Sequence, residues 1–154
     1  MGKISALLAR IGGKRVYMDT NIFIYFLEQS EGYFECVAPI IEACEAGKFI
    51  GYTGDVAVAE TMIQPYRENN LSLVANFKAF FATENFLSIQ SHDAAIFDLA
   101  AQLRAKRGMK LIDALHYATA LKSGCAFFLS NDSGIKSDDQ MEVIAINTLL
   151  KSNY

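Results

Sequence analysis

The chain is poor in residues that break or cross-link a fold. It has no tryptophan, two prolines and three cysteines in 154 residues. So little proline argues against a linker-rich chain. The cysteines (Cys36, Cys44, Cys125) are odd in number and form no C-x-x-C pair. They are expected as reduced thiols, buried as small apolar residues in a cytoplasmic protein. Positive charge is also short: 14 Lys and Arg stand against 17 Asp and Glu, a net charge of −3. That balance gives no global attraction for nucleic acid, so any such contact must come from a local basic patch or from bound metal. No window approaches the ~18 apolar residues of a membrane span. The start, with Ala6-Leu7-Leu8 interrupted by Arg10, is too weak for a signal peptide. Internal repeats, low-complexity tracts, a phosphate-cradling glycine loop and a nucleophile–base pair are all missing.

What is present is a well-filled globule, with 52% hydrophobic and 20% charged residues. A chain of this length is expected to form one domain, 1–154, with 1–14 as a short lead-in of one helical turn, and to bury roughly 70% of its unfolded surface. Short apolar runs at 15–18, 49–52, 86–89, 126–129 and 143–146 read as strands. Helical spacing marks 22–28, 33–46, 56–67, 71–82, the stretch from Ser91 or Asp93 to Arg107, and 111–123. Asp55 is the expected cap of the 56–67 helix, and Pro65 is expected to bend or end it. The last residues are polar and expected to fray. Strands alternating with helices predict a three-layer α/β/α fold with a central, mainly parallel sheet. In such sheets ligands bind beyond the carboxyl ends of the strands.

Four acids occupy the points where the chain turns. Asp19 follows Val16-Tyr17-Met18. Glu60 closes Val56-Ala57-Val58-Ala59. Asp113 opens Asp113-Ala114-Leu115-His116. Asp132 follows Phe127-Phe128-Leu129 in Ser130-Asn131-Asp132. Each has an ordinary structural use as well: Asp19 as a helix N-cap, Asp113 as a first-turn acid facing the helix dipole, Asp132 as a turn residue. Glu60, among small apolar neighbours, is harder to explain that way. Carboxylates beside apolar segments cost energy unless neutralised, and a cluster of hard oxygen donors suits Mg²⁺ or Mn²⁺.

The order of these pieces resembles the PIN-domain family and, within it, the VapC-like toxin ribonucleases. The resemblance is carried by Tyr17-Met18-Asp19-Thr20-Asn21, by Val58-Ala59-Glu60, by the run from Arg107 to Ala120 containing Asp113-Ala114-Leu115-His116, and by Leu129-Ser130-Asn131-Asp132. It covers about residues 15–147. It implies a metal-dependent endoribonuclease, the toxin of a type II toxin–antitoxin pair, with one or two Mg²⁺ or Mn²⁺ ions held by Asp19, Glu60, Asp113 and Asp132. It further implies that Asn21 orients a ligand or water, that Ser130 is a hydroxyl residue beside the fourth acid, and that the partners are RNA, a cognate antitoxin and a second copy of the chain. The family often carries Asp-x-Asp-Phe in its fourth motif, whereas here Asp132 is followed by Ser133-Gly134-Ile135.

Around this constellation the expectations are plainer. Arg104, Lys106, Arg107 and Lys110 form a basic stretch that either grips phosphate or serves as a solvated helix end. His116 is expected to pack or hydrogen-bond rather than catalyse, and His92 to lie exposed near a helix start. The aromatic helix over 71–82 and the segment 22–27 are candidate dimer surfaces. Two other function classes remain open on sequence. One is a haloacid-dehalogenase-like phosphatase, whose nucleophile loop Asp19-Thr20-Asn21 resembles. The other is a non-catalytic module that binds RNA or protein.

Overall fold

Side chains alternate along the inner strands, and that alternation sets the layers. The computed structural model describes residues 2–83 and 85–150. The elements run α1 (Lys3–Ile11), β1 (Arg15–Met18), α2 (Thr20–Leu27), α3 (Phe34–Glu45), β2 (Ile50–Gly54), α4 (Val56–Arg67), α5 (Leu71–Thr83), β3 (Leu87–Gln90), α6 (Ala94–Arg107), α7 (Leu111–Lys122), β4 (Phe127–Ser130), β5 (Glu142–Ala145) and a 3₁₀ turn (Ile146–Leu149). The strands form one sheet in the order β3-β2-β1-β4-β5, and every neighbouring pair is parallel. In β1, Val16 and Met18 enter one core with residues of α1, α2 and α3, while Tyr17 enters the other with α6 and α7. Leu129 and Phe128 divide in the same way, as the two-residue period of a strand requires. This is the three-layer α/β/α arrangement.

Tyr17 and Phe128 are register partners across β1 and β4, and their rings stack 4.9 Å apart at 13°. Truncating Phe128 to Ala should cost about 3–5 kcal/mol, the usual figure for a lost core aromatic. On the opposite face the sheet meets α3 closely: a Cβ at Gly51 would lie 2.5 Å from Cys44 Sγ and 2.8 Å from Met18 Cε. All three cysteines are buried thiols, as expected.

The strand order places the functional edge. From β1 the chain passes to β2 and β3 on one side, and later to β4 and β5 on the other. The carboxyl ends of β1 and β4 therefore flank the switch point where open parallel sheets bind ligands.

Several boundaries and roles differ from the sequence reading. β2, β3 and β4 end later than their apolar runs, because Gly54, Gln90 and Ser130 still pair in the ladder. The lead-in is a nine-residue helix, not a single turn. Ile4, Leu7, Leu8 and Ile11 give it an apolar stripe against the core, while Arg10, which interrupts the run, pairs on the outside with Glu142 at 2.7 Å. Pro65 is buried inside α4, which ends two residues beyond it at Arg67. Of the two candidate dimer segments, Ile22, Phe23, Phe77 and Phe80 are buried within the chain, while Leu71 is exposed and residues 24–27 are half-buried. The fraying expected of 151–154 lies outside the described residues.

Candidate active site

The chain turns out of β1 at Asp19, whose side chain is fixed from two sides. One oxygen accepts from the Thr20 backbone N–H at 2.8 Å, and the other from Ser130 Oγ at 2.6 Å. Ser130 Oγ in turn accepts from the Asp132 N–H at 2.9 Å. One hydroxyl thus ties the end of β1 to the loop after β4. Asp19 is both the N-cap of α2 and a member of the acid cluster, so its ordinary use and its suspected use coincide. Asp113 lies in the first turn of α7. Asp132 accepts from the Gly134 N–H at 2.8 Å, a turn-type contact.

Asp19, Glu60, Asp113 and Asp132 line one pocket of about 340 Å³, together with Asn21 and His116. Sequence positions up to 113 apart meet there because α2 follows β1, the loop with Asp132 follows β4, and α4 and α7 lean over the same edge. Ser130 is not part of the pocket wall; it is 1% exposed and stands behind Asp19.

Glu60 is held by two donors. Thr20 Oγ1 lies 2.7 Å and His116 Nε2 2.6 Å from its Oε1. His116 is 1% exposed, and its Nδ1 meets the Tyr17 hydroxyl at 2.6 Å. The expectation that His116 hydrogen-bonds is correct, and its partner is one of the acids. With Glu60 ionised, Nε2 must carry the proton it donates. Burial pulls the His116 pKa down, but the hydrogen bond to Glu60 and the charge of Asp19 outweigh it and leave the imidazole more basic than usual. Burial pushes Glu60 up, yet its hydrogen bonds from His116 and Thr20 hold it below the usual range. The two shifts agree on an ion pair.

The remaining acids are strained electrostatically. Burial raises the Asp19 pKa, opposed by His116 and by the hydrogen bond from Ser130. Asp113 is pushed up to about 7 by burial and by the Asp132 carboxylate beside it. Carboxylates gathered in one cleft without a cation behave this way.

For a divalent cation the donor chemistry fits. The acids present only hard oxygens, and Asn21 Oδ1 is buried at the same pocket with no hydrogen-bond partner. Gly134 leaves the acid pair open, since a Cβ there would stand 3.1 Å from Asp132 Oδ1 and 3.5 Å from Asp113 Oδ2. As they stand, no three His, Cys, Asp or Glu side chains among the described residues are grouped tightly enough to hold an ion.

The basic stretch before Asp113 is mostly committed to structure. Arg104 donates to the Met109 carbonyl at 3.0 Å. Arg107 pairs with Asp138 at 3.2 Å and lies 5.0 Å from the Tyr117 ring centroid; the Tyr117 hydroxyl also donates to Asp138. The Arg107 and Tyr117 contacts pin the loop that carries Asp132 against α6 and α7, while Arg104 closes the turn between those helices. Phosphate gripping by Arg104 or Arg107 is therefore corrected to loop anchoring.

His92 also departs from expectation. Its side chain is 8% exposed. Its Nε2 accepts from the Val56 N–H at 3.4 Å, supplying the cap of α4 that Asp55 does not. Its Nδ1 meets Thr119 Oγ1 at 2.9 Å. Gly54 packs beneath it: a Cβ there would come within 2.6 Å of His92 Cε1 and 2.9 Å of the Tyr17 hydroxyl.

Sequence reasoning missed Tyr17 and Thr20 as partners of the acid cluster; nothing in their local pattern marks them. It also missed Arg67, which lines the pocket. Arg67 falls four and seven residues after Ile63 and Glu60 on α4, a spacing that puts all three on one face.

Comparison with known proteins agrees with this fold. The family model described as "PIN domain" matches residues 16–138. No curated protein matches the sequence. Among solved structures, VapC20 of Mycobacterium tuberculosis, described as a sarcin–ricin loop cleaving toxin, superposes with a TM-score of 0.63 at 14% identity, covering 73% of this chain and 86% of that one. A toxin–antitoxin complex from Klebsiella pneumoniae gives 0.62 at 17% identity, covering 85% and 97%. VapBC2 from Rickettsia felis, bound to a DNA fragment from its promoter, gives 0.65 at 14% identity, covering 85% and 98%.

Proposed function

This chain belongs to the PIN domain family, and from that premise we propose that it is a metal-dependent endoribonuclease, 1–154 forming a single nuclease domain that acts as the toxin of a toxin–antitoxin pair. The observation that carries the reading is the meeting of Asp19, Glu60, Asp113 and Asp132 in one pocket. The four acids would hold Mg²⁺ or Mn²⁺, with Asn21 Oδ1 as a further oxygen. When bound, such an ion acidifies water and relieves charge at the scissile phosphate.

The protein's own groups have separate tasks. Ser130 and the Thr20 N–H fix Asp19 so that it need not reorganise on binding. His116 and Thr20 hold Glu60 ionised and aimed at the cleft. Burial and the neighbouring Asp132 carboxylate favour a proton on Asp113, which it would release to hold a cation. Family membership favours this over the phosphatase alternative, and the retention of all four acids favours it over a non-catalytic module.

A cognate antitoxin is supported by two structural relatives that are toxin–antitoxin assemblies. RNA as substrate, homodimerisation and a cytoplasmic setting complete the proposal. No helix among the described residues is long and apolar enough to cross a membrane. The test is cleavage of a labelled RNA in Mg²⁺, in Mn²⁺ and in EDTA. Cleavage should need metal and vanish in Asp19→Asn and Asp113→Asn while circular dichroism stays native. Full cleavage by both variants would overturn the assignment of the site.

A further inference from the structure

An acidic protein that binds a polyanion must place cations where the strand passes, and two are placed so. Arg67 lines the acid pocket, and its guanidinium has no hydrogen-bond or ion-pair partner among the described residues. A second pocket of about 280 Å³ adjoins the first, and Asp132 lines both. Its walls include Lys136, whose ammonium is likewise unpaired among the described residues, and the polar side chains of Asn131, Ser133 and Ser137. Elsewhere the arginines are occupied: Arg10 by Glu142, Arg15 by the Ser123 carbonyl, Arg104 by Met109 and Arg107 by Asp138. A side chain left unpaired beside a carboxylate cluster gives up an available ion pair. That arrangement makes sense where a phosphate is to be met.

We propose that single-stranded RNA lies across both pockets, with Arg67 holding a phosphate on one side of the scissile bond and Lys136 holding one on the other. The inference rests on the ribonuclease reading and adds to it a strand path and two substrate-binding residues. The scissile phosphate sits over the acids. The second pocket takes the next nucleotide beside the Ser133 hydroxyl, while Asn131 and Ser137, held by Tyr25, Asn147 and Val143, shape its wall. Arg67 suits bidentate capture, while Lys136 acts as a point charge.

The test compares wild type with Arg67→Ala, Lys136→Ala, the double variant and a distant control, Lys48→Ala. It uses a labelled single-stranded RNA about ten nucleotides long and reads two quantities: steady-state cleavage with Mn²⁺, and fluorescence anisotropy without metal. Each single variant should raise KM several-fold with kcat within about twofold. Each should also lower the salt slope of binding by about 0.7, the release expected for one single-strand phosphate. The double variant should combine both losses, and Arg67→Lys and Lys136→Arg should recover most of the affinity. Unchanged KM and salt slope in both variants of an active enzyme would overturn the strand path and leave the nuclease reading standing. A fall in kcat alone would also overturn the holding role. A wild type that neither cleaves nor binds RNA would remove both.

Discussion

The Nε2 of His116 stands 2.6 Å from Glu60 Oε1, and the imidazole is sealed from solvent on α7. Removing His116 leaves Glu60 with the Thr20 hydroxyl as its one protein donor among the described residues. His116→Ala should cost about 1–3 kcal/mol, the usual penalty for stranding a partly buried charge-assisted partner. RNA cleavage should fall with it. His116→Gln, which can place an amide N–H near the lost Nε2–H, should recover part of both. Chemical denaturation with parallel cleavage assays reads the two losses. An Ala variant as stable as wild type would show that the pair carries no net stabilisation.

Asp113 predicts a pH dependence. Its folded pKa of about 7 lies above the ordinary carboxylate value of 3.8. Between those two values the folded state binds more protons than the unfolded state, so this group makes metal-free stability fall as pH rises from about 4 to about 7. Asp113→Asn carries no proton to lose. The variant should be more stable than wild type at pH 8 without metal, with the advantage shrinking toward pH 4. Urea melts in EDTA at several pH values measure this, and a constant difference across that range would contradict it.

Divalent metal should reverse the same strain. An ion that binds only the assembled site stabilises by mass action, and it binds deprotonated carboxylates better. Millimolar Mn²⁺ should raise the melting temperature more at pH 8 than at pH 5.5, and the rise should disappear in Asp19→Asn. Thermal melts with and without EDTA decide the point; equal shifts in wild type and variant would show the ion binding elsewhere.

Much of this was legible in the chain, and the exceptions share a cause. The alternation of strands and helices follows from apolar periodicity, and the four acids stand out because each interrupts or ends an apolar run. Contacts made only by tertiary packing left no local trace. Thr20 is an ordinary first helical residue until α4 brings Glu60 beside it. Arg107 looks like a free cation until the loop after β4 folds back over α6, and Arg104 until the turn into α7 presents the Met109 carbonyl. The first helix differs for another reason: the stripe Ile4, Leu7, Leu8, Ile11 is anchored by the core, and Gly12-Gly13 only ends it.

The Arg107–Asp138 contact makes a prediction about motion. Both side chains are about one-third exposed or less, at 33% and 27%, so the pair itself should add about 1 kcal/mol at most. Its larger effect is to hold residues 131–141, which carry Asp132. Arg107→Ala should leave the melting temperature almost unchanged, speed hydrogen exchange in that loop and lower kcat. Unaltered exchange there would show the loop held by its other contacts.

Gly54 touches no acid, yet it sits under both His92 and the Tyr17 hydroxyl. A methyl group added there would press on the tyrosine that steadies His116, and through that ring on Glu60. A hydrogen atom in place of a side chain, at the far end of two relayed contacts, thereby leaves room for the ring that orients Glu60. Any side chain at this spot would have to displace one of those two rings.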